Sequence, residues 1–512
     1  MPSSPTSRLV ATSHPLAVSA ALDAWDRGGN AVDAAVAAAA MLTVMDPRST
    51  GVGGDLFAQV WPAGAEGPVC LSAAGPAPRG LSMESLRAAG FREMPTAGPW
   101  TVTVPGSVAG WEELVRSYAK LDLGSLIQLA ARAAFDGTPV TRFVAEEWAP
   151  LEAKLRENDE AARIFLPEGS APAEGERFAN PDLGAVLERI GADGADSFYH
   201  GDLAAAIGDA VEAAGGPLRA DDLDTWSGPA WVEPISRGYR TARVYETPPP
   251  GQGLVLLEAL GIYEGCGPED SADADHLAIE SMKLAFADGA RFIGDPFFHE
   301  TPVDALLSEP YLAGRRSQLD PTRAGLAAPG APTDTVYVAT ADRDVACSLI
   351  QSLYEGFGSG IVVPGTGIAL QNRGAGFVME DGHVNRPEPG KRPYHTIIPA
   401  MLGDDGGFLG CLGVVGGFMQ PQGQFQVLRN VLERGMDPQN AVAAPRFRFT
   451  AGRSVALEPD YDAGIRSALE RRGHEVSHLG RFEAGGGQLV LRTPEGFIGG
   501  SDPRRDGEAA GR

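Results

Sequence analysis

The 512-residue chain is poor in cysteine, in basic charge and in long apolar runs. Its four cysteines, Cys70, Cys266, Cys347 and Cys411, stand far apart and form no C-x-x-C pair. That spacing argues against a disulfide framework and a zinc knuckle, and suits a reducing compartment. Lysine and arginine number 42 against 67 aspartates and glutamates, a formal charge of -25. Such a surface repels phosphate backbones and anionic membranes, so neither nucleic acid nor a membrane is expected as a partner. The longest uncharged apolar run, Ala34 to Met45, falls well short of the roughly 20 residues that span a bilayer. No basic segment followed by an unbroken apolar one opens the chain, and Asp23 and Asp26 come too early for a secretory signal. The expected location is the cytoplasm.

Several familiar chemistries are also missing. STGVGGD and FGSGIVVPGTG are glycine-rich, yet neither reads G-x-x-x-x-G-K-[ST] or has the surroundings of a dinucleotide fold. HExxH is absent and the eight histidines are scattered, so no metal site is expected. No G-x-S-x-G elbow marks a serine hydrolase.

What the chain does contain changes character along its length. GGNAVDAAVAAAAMLTVM has small side chains on most of its surface, which suits a helix lying close against a sheet. DLFAQVW and Val69 to Ser72 read as early strands, and PGSVAGWEELVRSYAKL and LGSLIQLAARAAFDG as helices. Roughly Val144 to Leu319 reads as mostly helical, with DHLAIESMKLAFADGARFIGD the clearest amphipathic case. From Thr335 short strand candidates take over: TVYVAT, ACSLIQSLY, GIALQN, HTIIPAML, FLGCLGVV, GQLVLRT and FIGG, with one helix around QPQGQFQVLRNVLERG. Strand runs with segregated helices predict packed sheets covered by helices, an α+β arrangement without βαβ alternation. Gly325 to Pro332 and the terminal RRDGEAAGR are flexible by composition.

Thr335 opens the strand-rich part, directly after Asp334. A threonine hydroxyl is a weak nucleophile, and one remedy uses the residue's own α-amino group as general base. That demands a broken bond before Thr335, leaving pieces 1–334 and 335–512, both with apolar strands. A free α-amine has a pKa of about 7.7 to 8, so a useful fraction is unprotonated near neutrality. A second element, GVVGGFMQPQ, places Gly416 and Gly417 between a strand and a helix, where two backbone N–H groups can hold an oxyanion. Each element alone also reads as ordinary punctuation between elements.

Together they resemble the gamma-glutamyltransferase family of N-terminal nucleophile hydrolases. The resemblance spans most of the chain: GGNAVDAAVAAA, DPRSTGVGGD, VPGSVAGW, TPPPGQG, AFADGARFIGDP, DTVYVATAD, FGSGIVVPGTGIALQN, GKRPYHTIIPA, the GVVGG turn, APRF and SDPR. It implies a precursor that cleaves itself between Asp334 and Thr335 into a large subunit, 1–334, and a small one, 335–512. The two would stay together in a four-layer αββα sandwich, with further dimerisation left open. It also implies Thr335 as nucleophile, Gly416 and Gly417 as oxyanion donors, and no cofactor.

Other positions depart from the best-known members. The stretch that would supply an arginine for the glutamyl α-carboxylate reads SAAGPAP, and the one that would supply an acid for the α-amine reads QNRGAGF. Weak activity on gamma-glutamyl compounds is therefore expected. SLIQSLYEGFG resembles the oxamate amidohydrolase and acylase-like branch, with Ser352 replacing a threonine that binds the nucleophile's amine and Tyr354 a substrate-contacting asparagine. The family's paired serines become His395 and Thr396, both candidates for substrate binding, and His395 could contact substrate, hold a backbone carbonyl or merely pack. Cationic candidates for a substrate carboxylate are Arg373, Arg392 and Arg48, each of which reads equally as a member of a structural ion pair, with Arg79 following Gly75. The expected activity is an autoprocessed amide hydrolase or acyltransferase acting on a small acyl amide, with water or an amine as acceptor. The alternatives are hydrolysis of a carbon–carbon bond next to a carbonyl, and an unprocessed binding or scaffold protein of the same fold.

Overall fold

The computed structural model describes residues 5–268, 271–326 and 334–512, with the backbone alone at Asp334. Two antiparallel sheets lie face to face at its centre. The first has seven strands in the order Glu508–Gly511, Leu9–Thr12, Asp334–Ala341, Val345–Tyr354, Asp55–Pro62, Val69–Ala73 and Ala230–Val232. The second has six, in the order Gly496–Ser501, Gly486–Thr493, Gly407–Val415, Ala400–Asp404, Ala242–Glu246 and Ile235–Tyr239. Residues on both sides of Thr335 contribute to both sheets. The central strand Asp334–Ala341 is laced to Leu9–Thr12 on one side and to Val345–Tyr354 on the other.

Three apolar cores separate four layers. Between the sheets lie Phe57, Trp61, Tyr337, Ile350, Met401, Val415 and Val490. A β-carbon on Gly413 would come within 2.4 Å of the Tyr337 ring, so this close approach needs glycine. The helix Ala31–Met45 covers the outer face of the seven-stranded sheet and is buried along its whole length. Asn30 caps it through a reciprocal box with Asp33, and its alanines let the backbone approach the strands. The approach is close enough for Thr340 Oγ to donate to Ala31 O at 2.7 Å and Gln351 Nε2 to Ala39 O at 2.8 Å. On the other flank, helices Gly253–Glu264 and Met419–Leu432 pack on the six-stranded sheet, and Ser271–Phe292 lies against the first of them. This is the expected αββα sandwich.

The structure also corrects several sequence expectations. The tail read as flexible forms the edge strand Glu508–Gly511, paired with Leu9–Thr12. Ile235–Tyr239 and Ala242–Glu246 form a strand hairpin inside the stretch read as mostly helical. GIALQN supplies only the two-residue strand Ile368–Ala369, and in HTIIPAML the strand starts at Ala400. Most of Gly325 to Pro332 lies outside the described residues. Among the described residues, no helix is long and apolar enough to cross a membrane.

Candidate active site

Thr335 stands near the start of the central strand with 5% of its surface exposed. Its Oγ donates to Ser352 Oγ at 3.3 Å, and Gln420 Nε2 approaches the same Oγ at 3.5 Å. A bulge explains the first contact. The register of Val345–Tyr354 against the central strand slips between Gln351 and Tyr354, which re-aims Ser352 toward Thr335. Ser352 Oγ also accepts the Tyr354 N–H at 2.7 Å. Past the bulge Tyr354 has φ +83°, a conformation costly for a side chain with a β-carbon and characteristic of functional sites. Gln420 cannot be turned around, because its Oε1 accepts the Ile398 N–H at 3.0 Å, so its NH₂ group faces Thr335.

Gln420 ties the threonine to the glycine turn. Gly416 and Gly417 have φ values of +117° and +62°, which glycine adopts at little cost. Their carbonyls accept the N–H groups of Met419 and Gln420, and Gln252 Nε2 also donates to Gly417 O at 2.9 Å. Their own N–H groups make no hydrogen bond among the described residues. With the carbonyls committed and the helix Met419–Leu432 starting next, the turn offers two open donors and the positive end of a helix.

Arg373 is fully buried beside this turn's partners. Its Nη1 donates to Thr396 Oγ at 3.1 Å, and its guanidinium carbon lies 4.3 Å from the centre of the Tyr354 ring. Among the described residues, Nε and Nη2 have no hydrogen-bond partner. Burial holds the guanidinium's pKa below its ordinary value, with Asp55 the largest opposing charge. Leaving charged donors buried and unsatisfied is costly, and an incoming anion removes that cost.

For His395 the sequence left open a substrate contact, a hold on a backbone carbonyl and simple packing, and the structure shows the second. It is fully buried, with Nδ1 donating to Pro393 O at 2.7 Å and Nε2 2.9 Å from Asp55 Oδ2. With Nδ1 protonated, a single proton lies between Nε2 and the carboxyl group. Burial lowers the imidazole's pKa. Asp55 Oδ1 also accepts Gln371 Nε2 at 3.0 Å and Gly75 N–H at 3.2 Å, so the pair braces four separate segments.

The remaining cations are paired. Arg392 meets Asp295 twice, Nε to Oδ2 at 3.1 Å and Nη2 to Oδ1 at 2.7 Å. Arg48 is paired with Glu147, and Arg79 reaches Asp222 and Thr225 from an exposed position. For Arg392 and Arg48 this is the structural ion pair that the sequence left open as the other reading. Among the described residues, His276, Glu280 and His474 form the one cluster with metal-ligand spacing. There Lys283 Nζ sits 2.7 Å from Glu280 Oε1, and His276 Nε2 donates to Asp320 O at 2.8 Å. The ammonium supplies the positive charge that a metal would bring.

Of the residues singled out in the sequence, the structure thus brings together Thr335, Ser352, Tyr354, Arg373, Thr396, Gly416 and Gly417. Sequence reasoning missed Gln420 and Asp55, although both lie in stretches it quoted. Residues 17–512 match the family model described as gamma-glutamyltranspeptidase. The chain belongs to that family. It is 34% identical to the oxamate amidohydrolase proenzyme of Klebsiella pneumoniae subsp. pneumoniae, over 97% of each chain. It is 33% identical to the glutathione hydrolase-like YwrD proenzyme of Bacillus subtilis, over 99% of this chain and 98% of that one. The structure superposes on a cephalosporin acylase from Bacillus halodurans with a TM-score of 0.95 and 42% identity, covering 100% of this chain and 97% of that one. The fold is accordingly that of the N-terminal nucleophile hydrolases.

Proposed function

We propose that the chain is a self-cleaving amide hydrolase or acyltransferase that uses Thr335 as an N-terminal nucleophile on small acyl amides carrying a carboxylate. The observation that carries the reading is the convergence on Thr335 Oγ of Ser352 and Gln420, with Gln420 hydrogen-bonded to the glycine turn. Maturation begins when Thr335 Oγ attacks the carbonyl carbon of Asp334. The C–N bond breaks, the amide nitrogen takes up a proton and becomes the Thr335 α-amine, and residue 334 is left as an ester on Oγ. Water hydrolyses that ester, releasing the carboxylate of the large subunit, 1–334, from the small subunit, 335–512. Strand pairing across the cut holds the two together.

In turnover the α-amine accepts the Oγ proton as Oγ attacks the substrate carbonyl. The N–H groups of Gly416 and Gly417 hold the oxyanion, a contribution of about 3 to 4 kcal/mol per donor in comparable sites. The amine half leaves with the proton, and water or an acceptor amine then attacks the acyl-enzyme. Arg373 supplies the carboxylate anchor, with Nε and Nη2, unpartnered among the described residues, open to a bidentate grip. This matches a relative named for oxamate, an amide whose carboxylate adjoins the scissile carbonyl.

The test is a pair of variants. Thr335→Ala should abolish both self-cleavage and turnover, whereas Thr335→Ser, which keeps a hydroxyl and an amine, should retain part of each. Normal cleavage and turnover in the alanine variant would overturn the reading.

A further inference from the structure

We propose that an aromatic cavity beside the glycine turn receives the amine half of the substrate, and that this half carries an aromatic ring. The inference rests on the reading of Thr335 and Arg373 given above. The cavity measures about 280 Å³ and is lined by Phe286, Ala290, Phe377, Tyr394, Phe418 and Tyr354 among others. Two of these residues place it. Phe418 directly follows Gly417, and Tyr354 carries Arg373 over its ring. With the carboxylate end of the acyl group held at Arg373, the cavity is left for the departing side.

Its chemistry selects the occupant. The Tyr394 and Phe418 rings lie nearly parallel, 24° apart with centroids 5.9 Å apart, and Phe286 meets Phe418 edge-on at 5.9 Å. Such faces favour a further ring in offset or edge contact. The polar groups on the wall are already committed: His383 Nδ1 accepts the Asn385 N–H at 3.0 Å, Asn385 Nδ2 donates to Gly376 O at 2.7 Å, and Tyr394 donates to Gln252 Oε1 at 3.3 Å. Only the Tyr354 hydroxyl makes no hydrogen bond among the described residues. Size points the same way, because ammonia needs about the 30 Å³ share of one water and would leave most of the cavity unused.

The experiment compares oxamate and succinamate with their N-phenyl amides, in the wild-type enzyme and in Ala290→Trp, a substitution at an exposed position on the cavity's rim. The wild type is expected to favour the phenyl amides in kcat/KM by tenfold or more. Ala290→Trp should remove at least tenfold from the phenyl amides while leaving the primary amides within twofold. Ala290→Leu should show the same selectivity to a smaller degree, which guards against a folding defect in the larger substitution. Turnover of both classes with no selective loss in either variant would overturn the cavity assignment and leave the Thr335 reading standing. Hydrolysis of none of the four by an enzyme cleaved before Thr335 would overturn the carboxylate-amide reading and the cavity with it.

Discussion

Two buried arginines in this fold have opposite surroundings. Arg446 donates to Asp502 at 2.6 Å, to Val442 O at 2.8 Å and to Ala484 O at 2.9 Å, and Asp502 is shared with Arg504 at 2.9 Å, which itself grips Glu458. Arg373 is equally buried, yet among the described residues it meets one neutral hydroxyl and an aromatic face, with no carboxylate in contact and two nitrogens unpaired. Taking a charge out of water costs several kcal/mol, and only good pairing offsets it. The first arrangement satisfies that demand inside the chain and ties the helix Pro438–Ala443 to the sheet edge. The second leaves the demand open, which is how a protein prepares an anion site at the expense of stability.

Breaking the satisfied network should have the largest effect. Asp502→Ala leaves Arg446 and Arg504 short of their shared anion and should destabilise the fold by about 3 to 5 kcal/mol, read as a lower urea midpoint. A smaller loss than for Arg373→Met would erase the contrast between the two sites. Arg373→Met should do the reverse, keeping or raising the midpoint while lowering kcat/KM for carboxylate-bearing amides. Two charge-assisted hydrogen bonds at about 1.5 to 3 kcal/mol each correspond to a loss of roughly a hundredfold or more. An unchanged kcat/KM would show that the carboxylate is held elsewhere.

The contrast between these arginines could not be read in the sequence. Arg373, Arg392 and Arg48 were equivalent candidates there, because the acids that pair with two of them, Asp295 and Glu147, lie 97 and 99 residues away along the chain. The Asp55–His395 contact closes over 340 residues and was equally hidden. Local chemistry was legible: the β-branched start at Thr335, the Gly416–Gly417 punctuation and the alanine helix each declare themselves within a few residues. The terminal strand Glu508–Gly511 does not, because glutamate, alanine and glycine carry no strand pattern and the pairing with Leu9–Thr12 comes from the backbone ladder alone.

A smaller effect concerns pH. Burial lowers the pKa of His14 to about 4 and of His474 to about 3, and also lowers those of His276 and His383. The folded state resists protonation that the unfolded chain accepts below about pH 6.5, so stability should fall as pH falls. Each such histidine contributes up to about 1.4 kcal/mol per pH unit until its folded pKa is reached. The urea midpoint at pH 5.5 should therefore lie below that at pH 7.5. A constant or rising midpoint would show that these imidazoles are not held neutral by burial. On the substrate side, kcat/KM for gamma-glutamyl-p-nitroanilide should be well below that for a carboxylate-bearing amide lacking an α-amine, since the stretch that would supply an acid for the α-amine reads QNRGAGF.

The central claim is that Thr335 becomes a chain terminus, and intact-mass analysis of the purified protein with N-terminal sequencing of the smaller fragment tests it most directly. The account predicts two chains of 334 and 178 residues, the second beginning TVYVA. A fully active, uncut chain of 512 residues would contradict it.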